Sequence, residues 1–149
     1  MWRDFTRVVQ MPFFRQFILA EALVALAIAG LVITFLPFRR IAAWMGTAGL
    51  EAPIEATEHQ VEAACLVGWA VETLAGRVPW ESRCLCQALA ANGMLRRRGL
   101  EGTIRFGAAR EPFSDFIAHA SLRFGTYLVT GKDEDERFQT ITSFSRKRA

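Results

Sequence analysis

A chain of 149 residues with 52% hydrophobic content supplies one domain's worth of core and needs no disulfide staples. Its three cysteines, Cys65, Cys84 and Cys86, are an odd number with two of them one residue apart, which argues against a disulfide framework and for a reducing compartment, the cytoplasm. The formal charge is +3, with cationic groups at Arg39-Arg40, Arg96-Arg97-Arg98 and Arg146-Lys147-Arg148; no aromatic or base-reading motif is interleaved with them, so they read as solvated helix ends and nucleic-acid binding is set aside.

In chain order, Trp2, Phe5, Val8 and Val9 recur at helical spacing and predict a short amphipathic helix over residues 1–10, interrupted by Pro12. From Phe17 to Leu36 a run of 20 residues carries a single charge, Glu21, with Arg15 before it and Pro37-Phe38-Arg39-Arg40 after it. By length the run is a transmembrane candidate. A cleaved signal peptide fits poorly, because the run leads into Pro-Phe-Arg-Arg instead of small residues. A spanning helix, a buried core helix and a helix lying against a membrane surface remain open.

Arg39 to Met45 continues as a second helix with Pro37 in its first turn and Gly46 as its stop. Thr47 to Ala56 holds glycine and proline without periodicity and reads as a linker between residues 1–46 and a core of residues 57–149. Thr57 with Gln60 forms a capping box that opens a helix to about Ala75, ended by Gly76. Val61, Ala64, Cys65, Leu66 and Trp69 form its expected apolar stripe, with Cys65 as a small buried hydrophobe. Ser82 is the expected N-cap of a helix running from Arg83 to Arg97 or Arg98, with Gly99 after it. Gly93 inside that helix marks a close helix contact. Thr103–Gly107, Ile117–Phe124 and Thr126–Thr130 then read as strands, with a turn at Gly125-Thr126, and Phe138–Phe144 as a final strand or extended edge. Helices followed by an antiparallel sheet define an α+β fold.

Chemistry concentrates in two places. Cys84 falls in the first turn of a helix, where unpaired N–H groups and the helix dipole favour a thiolate. His119 falls on a strand, and a helix-opening cysteine with a histidine on a following strand is the arrangement of cysteine proteases and transglutaminase-like enzymes. Cys86, two residues on from Cys84, points to another side of the helix and is either core or a redox neighbour of Cys84. His59, beside Glu58 and Glu62, reads as a surface residue. His59, Cys65, Cys84 and Cys86 lack standard zinc spacing, so no metal and no cofactor is expected.

Pro79-Trp80, Cys84-Leu85, Gln87-Ala88-Leu89, Met94 to Gly99, Phe106-Gly107 and Ala118-His119-Ala120 together resemble the transglutaminase-like leader peptidases of lasso-peptide biosynthesis. Glu21-Ala22-Leu23 and Leu36 to Arg40 extend the resemblance towards the N-terminus. The resemblance implies a nucleophile-bearing helix packed on the sheet and a cysteine protease that removes the leader of a ribosomally made precursor peptide. It also implies two partners: a free-standing leader-binding protein, since no such domain precedes the core, and an ATP-using cyclase that joins the exposed α-amine to an Asp or Glu side chain. The chain departs from the family at Ser121 and Arg123, where tryptophan and an acid are usual. The orienting acid expected about twelve residues after the histidine falls on Gly131, which makes Asp133, with Asp135 close by, the candidate third member; the alternative for this charge run is a solvated turn. A second function class is a non-catalytic, membrane-associated scaffold of the same fold.

Overall fold

The computed structural model describes residues 12–79, 83–110, 116–131 and 139–146. Helix α1 (Phe13–Phe35) follows Pro12, and α2 (Phe38–Met45) follows Pro37. Leu36 between them is extended, as a residue before proline prefers. Gly46 ends α2 at φ 127°, where a Cβ would collide with the backbone of Ser145, so only glycine fits. Helix α3 (Glu58–Ala75) opens with the expected capping box: Gln60 N–H donates to Thr57 Oγ1 at 3.2 Å and Thr57 N–H donates to Gln60 Oε1 at 3.0 Å. Helix α4 (Cys84–Arg97) begins one residue later than predicted, with Arg83 at its N-cap. The expected Ser82 cap and the amphipathic segment of residues 1–10 lie outside the described residues.

Five strands form one antiparallel sheet in the order β1-β5-β2-β3-β4. They are β1 (Thr47–Ala48), β2 (Thr103–Arg110), β3 (Phe116–Phe124), β4 (Tyr127–Thr130) and β5 (Gln139–Ser145). The α+β class stands, with two corrections. The last strand is not an edge: β5 lies between β1 and β2. Nor is 47–56 a free linker. Thr47 and Ala48 pair with β5, Ala52 N–H donates to Thr103 Oγ1 at 2.9 Å, and Glu51 pairs with Arg105 at 3.1 Å and with Arg123 at 3.6 Å. Absence of periodicity marked irregular backbone, not absence of contacts.

The core forms where α4 meets α1, α3 and the sheet. Ala88, Leu89, Ala90, Ala91, Met94 and Leu95 of α4 are buried together with Ile18, Leu19, Ala22, Leu26 and Ala29 of α1. Alanines on α4 let its neighbours approach closely. On α3 the buried face is Ala64, Val67, Gly68, Ala70 and Val71, rotated from the predicted stripe; Cys65 is only half-buried, not the core residue expected. The rotation follows from α3 packing on α1, α4 and β4, so its buried side is the one that faces these three neighbours.

Glu21, the lone charge of the apolar run, has its explanation here. Its side chain is 8% exposed and accepts a two-pronged contact from Arg98, at 2.9 and 2.6 Å, with Arg97 at 3.3 Å. Arg96 donates to the carbonyls of Trp44 and Met45 at 2.6 and 2.7 Å and stacks its guanidinium on Trp44. Its pKa is lowered, first by burial and against the attraction of Glu101. The arginine run is therefore not a set of solvated helix ends: Arg96 and Arg98 tie the end of α4 to α2 and α1, and only Arg97 is mostly exposed.

The opposite face of α1 has no such cover. Phe13, Phe17, Val24, Ile28, Leu31 and Phe35 are exposed at spacings of three, four and seven residues, and Phe38 and Trp44 of α2 extend the apolar surface. Among the described residues, α1 is the one helix long and apolar enough to cross a membrane, yet its other face is core. Glu21→Gln keeps the side-chain shape but removes the charge facing Arg98. It is expected to cost about 2 kcal/mol, read as a lower urea midpoint at unchanged slope; an unchanged midpoint would show the pair to be energetically idle.

Candidate active site

The site is built at the start of α4. Cys84 is the first helical residue, Gln87 N–H donates to the Arg83 carbonyl at 3.0 Å, and no side chain of Arg83 caps the helix. The N–H groups of the first turn have no partner within the helix, so the positive end of the helix dipole lies at this end of α4. Cys84 is half-buried and free.

Cys86 stands about 200° further round the helix. Its Sγ lies 3.6 Å from the Leu26 carbonyl, to which the thiol donates, and burial pushes its pKa up. Of the two roles open to it from the sequence, core is the one its surroundings support.

Cys84 and His119 line one cleft of about 320 Å³. Its walls are Ile33 from the end of α1, Arg83 and Leu85 from the helix start, and Phe106 and Ala120 from the sheet. Phe106 is held edge-on between Phe38 and Phe144, with ring centroids 5.8 and 5.7 Å away, so this wall is rigidly supported. Among the described residues no hydrogen bond joins the Cys84 thiol to His119; catalytic contacts of this kind commonly tighten only when substrate fills the site.

His119 is buried on β3, and its Nε2 lies 3.3 Å from the carbonyl oxygen of Gly131. A bulge brings Gly131 there. Phe124 pairs with Tyr127 and Arg123 with Leu128, but Leu122 pairs with Thr130, so Val129 is the extra residue. The third candidate, Asp133, lies outside the described residues, as does Asp135. Arg123, where the resemblance leads one to expect an acid, is paired with Glu51, and Ser121 is buried. His59 is exposed, away from the cleft. Ile33 was not foreseen as a site residue because it sat inside an apolar run, whereas position 131 was marked by its twelve-residue offset from His119.

A second groove, of about 330 Å³, lies between α1, α2 and α4 and is lined by Val24, Ile28, Leu36, Trp44 and Leu89, with Glu21, Arg40 and Arg97 at its polar margin. Gly93 lines it facing the Trp44 ring, but a Cβ there would meet that ring at 3.8 Å, an ordinary contact, so the close approach expected of that glycine is not found. Among the described residues that line it there is neither a thiol nor an imidazole, unlike the cleft of Cys84 and His119.

Fold and cleft together define a class: an α+β protein with a cysteine opening a core helix and a histidine on the adjoining sheet, both lining one cavity. The profile of the transglutaminase-like superfamily matches residues 32–143, and the chain belongs to that superfamily. Neither a curated protein nor a solved structure matches it significantly.

The raised pKa of Cys86 has a consequence for stability. A folded-state value above the unfolded one favours folding while the thiol stays protonated, and that contribution is lost as pH rises from the ordinary thiol range through the folded value. Cys86→Ala is therefore expected to lessen the fall in urea midpoint between pH 8 and pH 10. Parallel curves for the two proteins would contradict the assignment.

Proposed function

We propose that this chain is a cysteine peptidase that removes the leader segment from a ribosomally synthesised precursor peptide of the lasso class. It acts with a leader-binding protein and with an ATP-dependent macrolactam cyclase that uses the newly exposed amine. The observation that carries this reading is the cleft shared by Cys84 and His119 in a transglutaminase-like chain. The sequence pattern from Pro79 to His119 supports the narrower substrate class.

In this mechanism Cys84 passes its proton to His119, and the sulfur attacks the scissile carbonyl. The tetrahedral oxyanion meets N–H donors at the start of α4. His119 returns the proton to the departing amine, which leaves as the new N-terminus of the core peptide; water then attacks the thioester and frees the leader. The apolar walls formed by Ile33, Leu85 and Phe106 exclude solvent around the reacting carbonyl. The third role, holding the imidazole, is that of Asp133, the candidate taken from the sequence.

A second reading, a membrane-associated scaffold without catalysis, draws on the exposed apolar face of α1 and its flanking Arg39 and Arg40. The two readings separate on one experiment. With a lasso precursor and the leader-binding protein supplied, Cys84→Ala and His119→Ala are each expected to lower the cleavage rate by at least about a thousandfold while leaving circular dichroism unchanged. Normal cleavage by either variant, together with recovery of the chain on anionic vesicles, favours the scaffold.

A further inference from the structure

We infer that the groove between α1, α2 and α4 is a lipid site: it seats an acyl chain of an anionic phospholipid whose headgroup meets Arg40 and Arg97, on a membrane surface along which α1 lies in plane. The inference does not depend on the peptidase reading. The groove of about 330 Å³ is walled by Val24, Ile28, Leu36, Trp44 and Leu89 and shares no residue with the cleft of Cys84 and His119. A lipid seated there does not occupy that cleft.

Charge identifies the occupant. α1 and α2 together carry Arg15, Arg39 and Arg40 against one carboxylate, Glu21. Glu21 is buried and already held by the two-pronged contact from Arg98, whereas Arg97, though 3.3 Å from it, keeps a side chain that is 70% exposed. Arg40 and Arg97 stand at the margin of the groove, so a cationic rim surrounds an apolar floor, the complement of an anionic headgroup on an acyl chain. Trp44 lines the groove and is 40% exposed; its amphipathic ring is of the kind that sits at the level of headgroups. The apolar surface does not end at the groove, since Phe13, Phe17, Leu31 and Phe35 are exposed along α1, a helix of about 34 Å. A continuous stripe of that length with cations at its flanks suits a bilayer surface. The opposite face fixes the orientation. Ile18, Leu19, Ala22, Leu26 and Ala29 are core, so a spanning α1 would have to strip this face from the fold and carry the Glu21–Arg98 pair into hydrocarbon. The helix therefore lies in the interface, outer face towards the lipid.

The test uses the full-length chain with vesicles of phosphatidylcholine alone and of phosphatidylcholine mixed with phosphatidylglycerol. Flotation reads binding, and bromine atoms on the acyl chains report the depth of a tryptophan by quenching its fluorescence. The chain is expected to float with the anionic vesicles and far less with the neutral ones. Of its four tryptophans, Trp44, identified by the emission lost in Trp44→Phe, is expected to be quenched. Arg40→Gln and Arg97→Gln are each expected to weaken binding about fivefold at low salt, and Ile28→Asp, at an exposed position, to abolish it. Should Ile28→Asp fail to fold, the arginine variants and the quenching decide. No flotation, equal flotation with neutral vesicles, undiminished binding by both arginine variants or an unquenched Trp44 overturns the inference. So does a chain that sediments as a dimer, ignores vesicles and becomes monomeric in Ile28→Asp, because a second copy then covers the groove.

Discussion

The burial of α4 is the constraint on which the remaining structure depends. To keep its first residue, Cys84, in the cleft the helix must be held along its whole length, because a rotation of one residue would exchange Cys84 for a neighbour. Here α1, α3 and the sheet close on it, and the small side chains of Ala88, Ala90 and Ala91 let them come near. At its far end Arg98 grips Glu21 of α1, and Arg96 grips the carbonyls that end α2. Cys86 adds a third point of contact through the Leu26 carbonyl. The two thiols thus divide the labour: one fixes the helix, and the other is turned to the cleft.

The same arrangement explains the long apolar helix. α1 supplies Leu26 and Ala22 to the core, Glu21 to the ion pair, and Ile33 to the wall of the cleft shared by Cys84 and His119. Only its last turn falls within the superfamily match, which begins at residue 32; the rest of the helix precedes it. Its outer face remains apolar and exposed, a surface that a partner or a lipid headgroup region can cover. A single helix serves as core on one side and as contact surface on the other.

Much of this was legible in the residues. The capping box Thr57/Gln60, the stop at Gly46, the Gly125-Thr126 turn and the strands around His119 are local signals, and local chemistry decides them. Cys84 and His119 stood out because each combined a reactive side chain with a definite position on its element. What could not be read depended on long-range neighbours. β5 is central only because the short β1, hidden in an apparent linker, pairs outside it. Arg96 and Arg98 resembled a surface run until their partners, 51 and 77 residues away, were known. The approach of the Gly131 carbonyl to His119 needed the bulge at Val129, which no periodicity announces.

The central claim is that Cys84 and His119 act as a pair. The most direct measurement is the alkylation rate of Cys84 as a function of pH, followed by peptide mass spectrometry, in the native chain and in His119→Ala. The account predicts that Cys84 is alkylated faster than Cys65 and Cys86 near neutral pH and that the advantage disappears with the imidazole. A Cys84 that reacts as an ordinary thiol, with the same pH profile in both proteins, would contradict it.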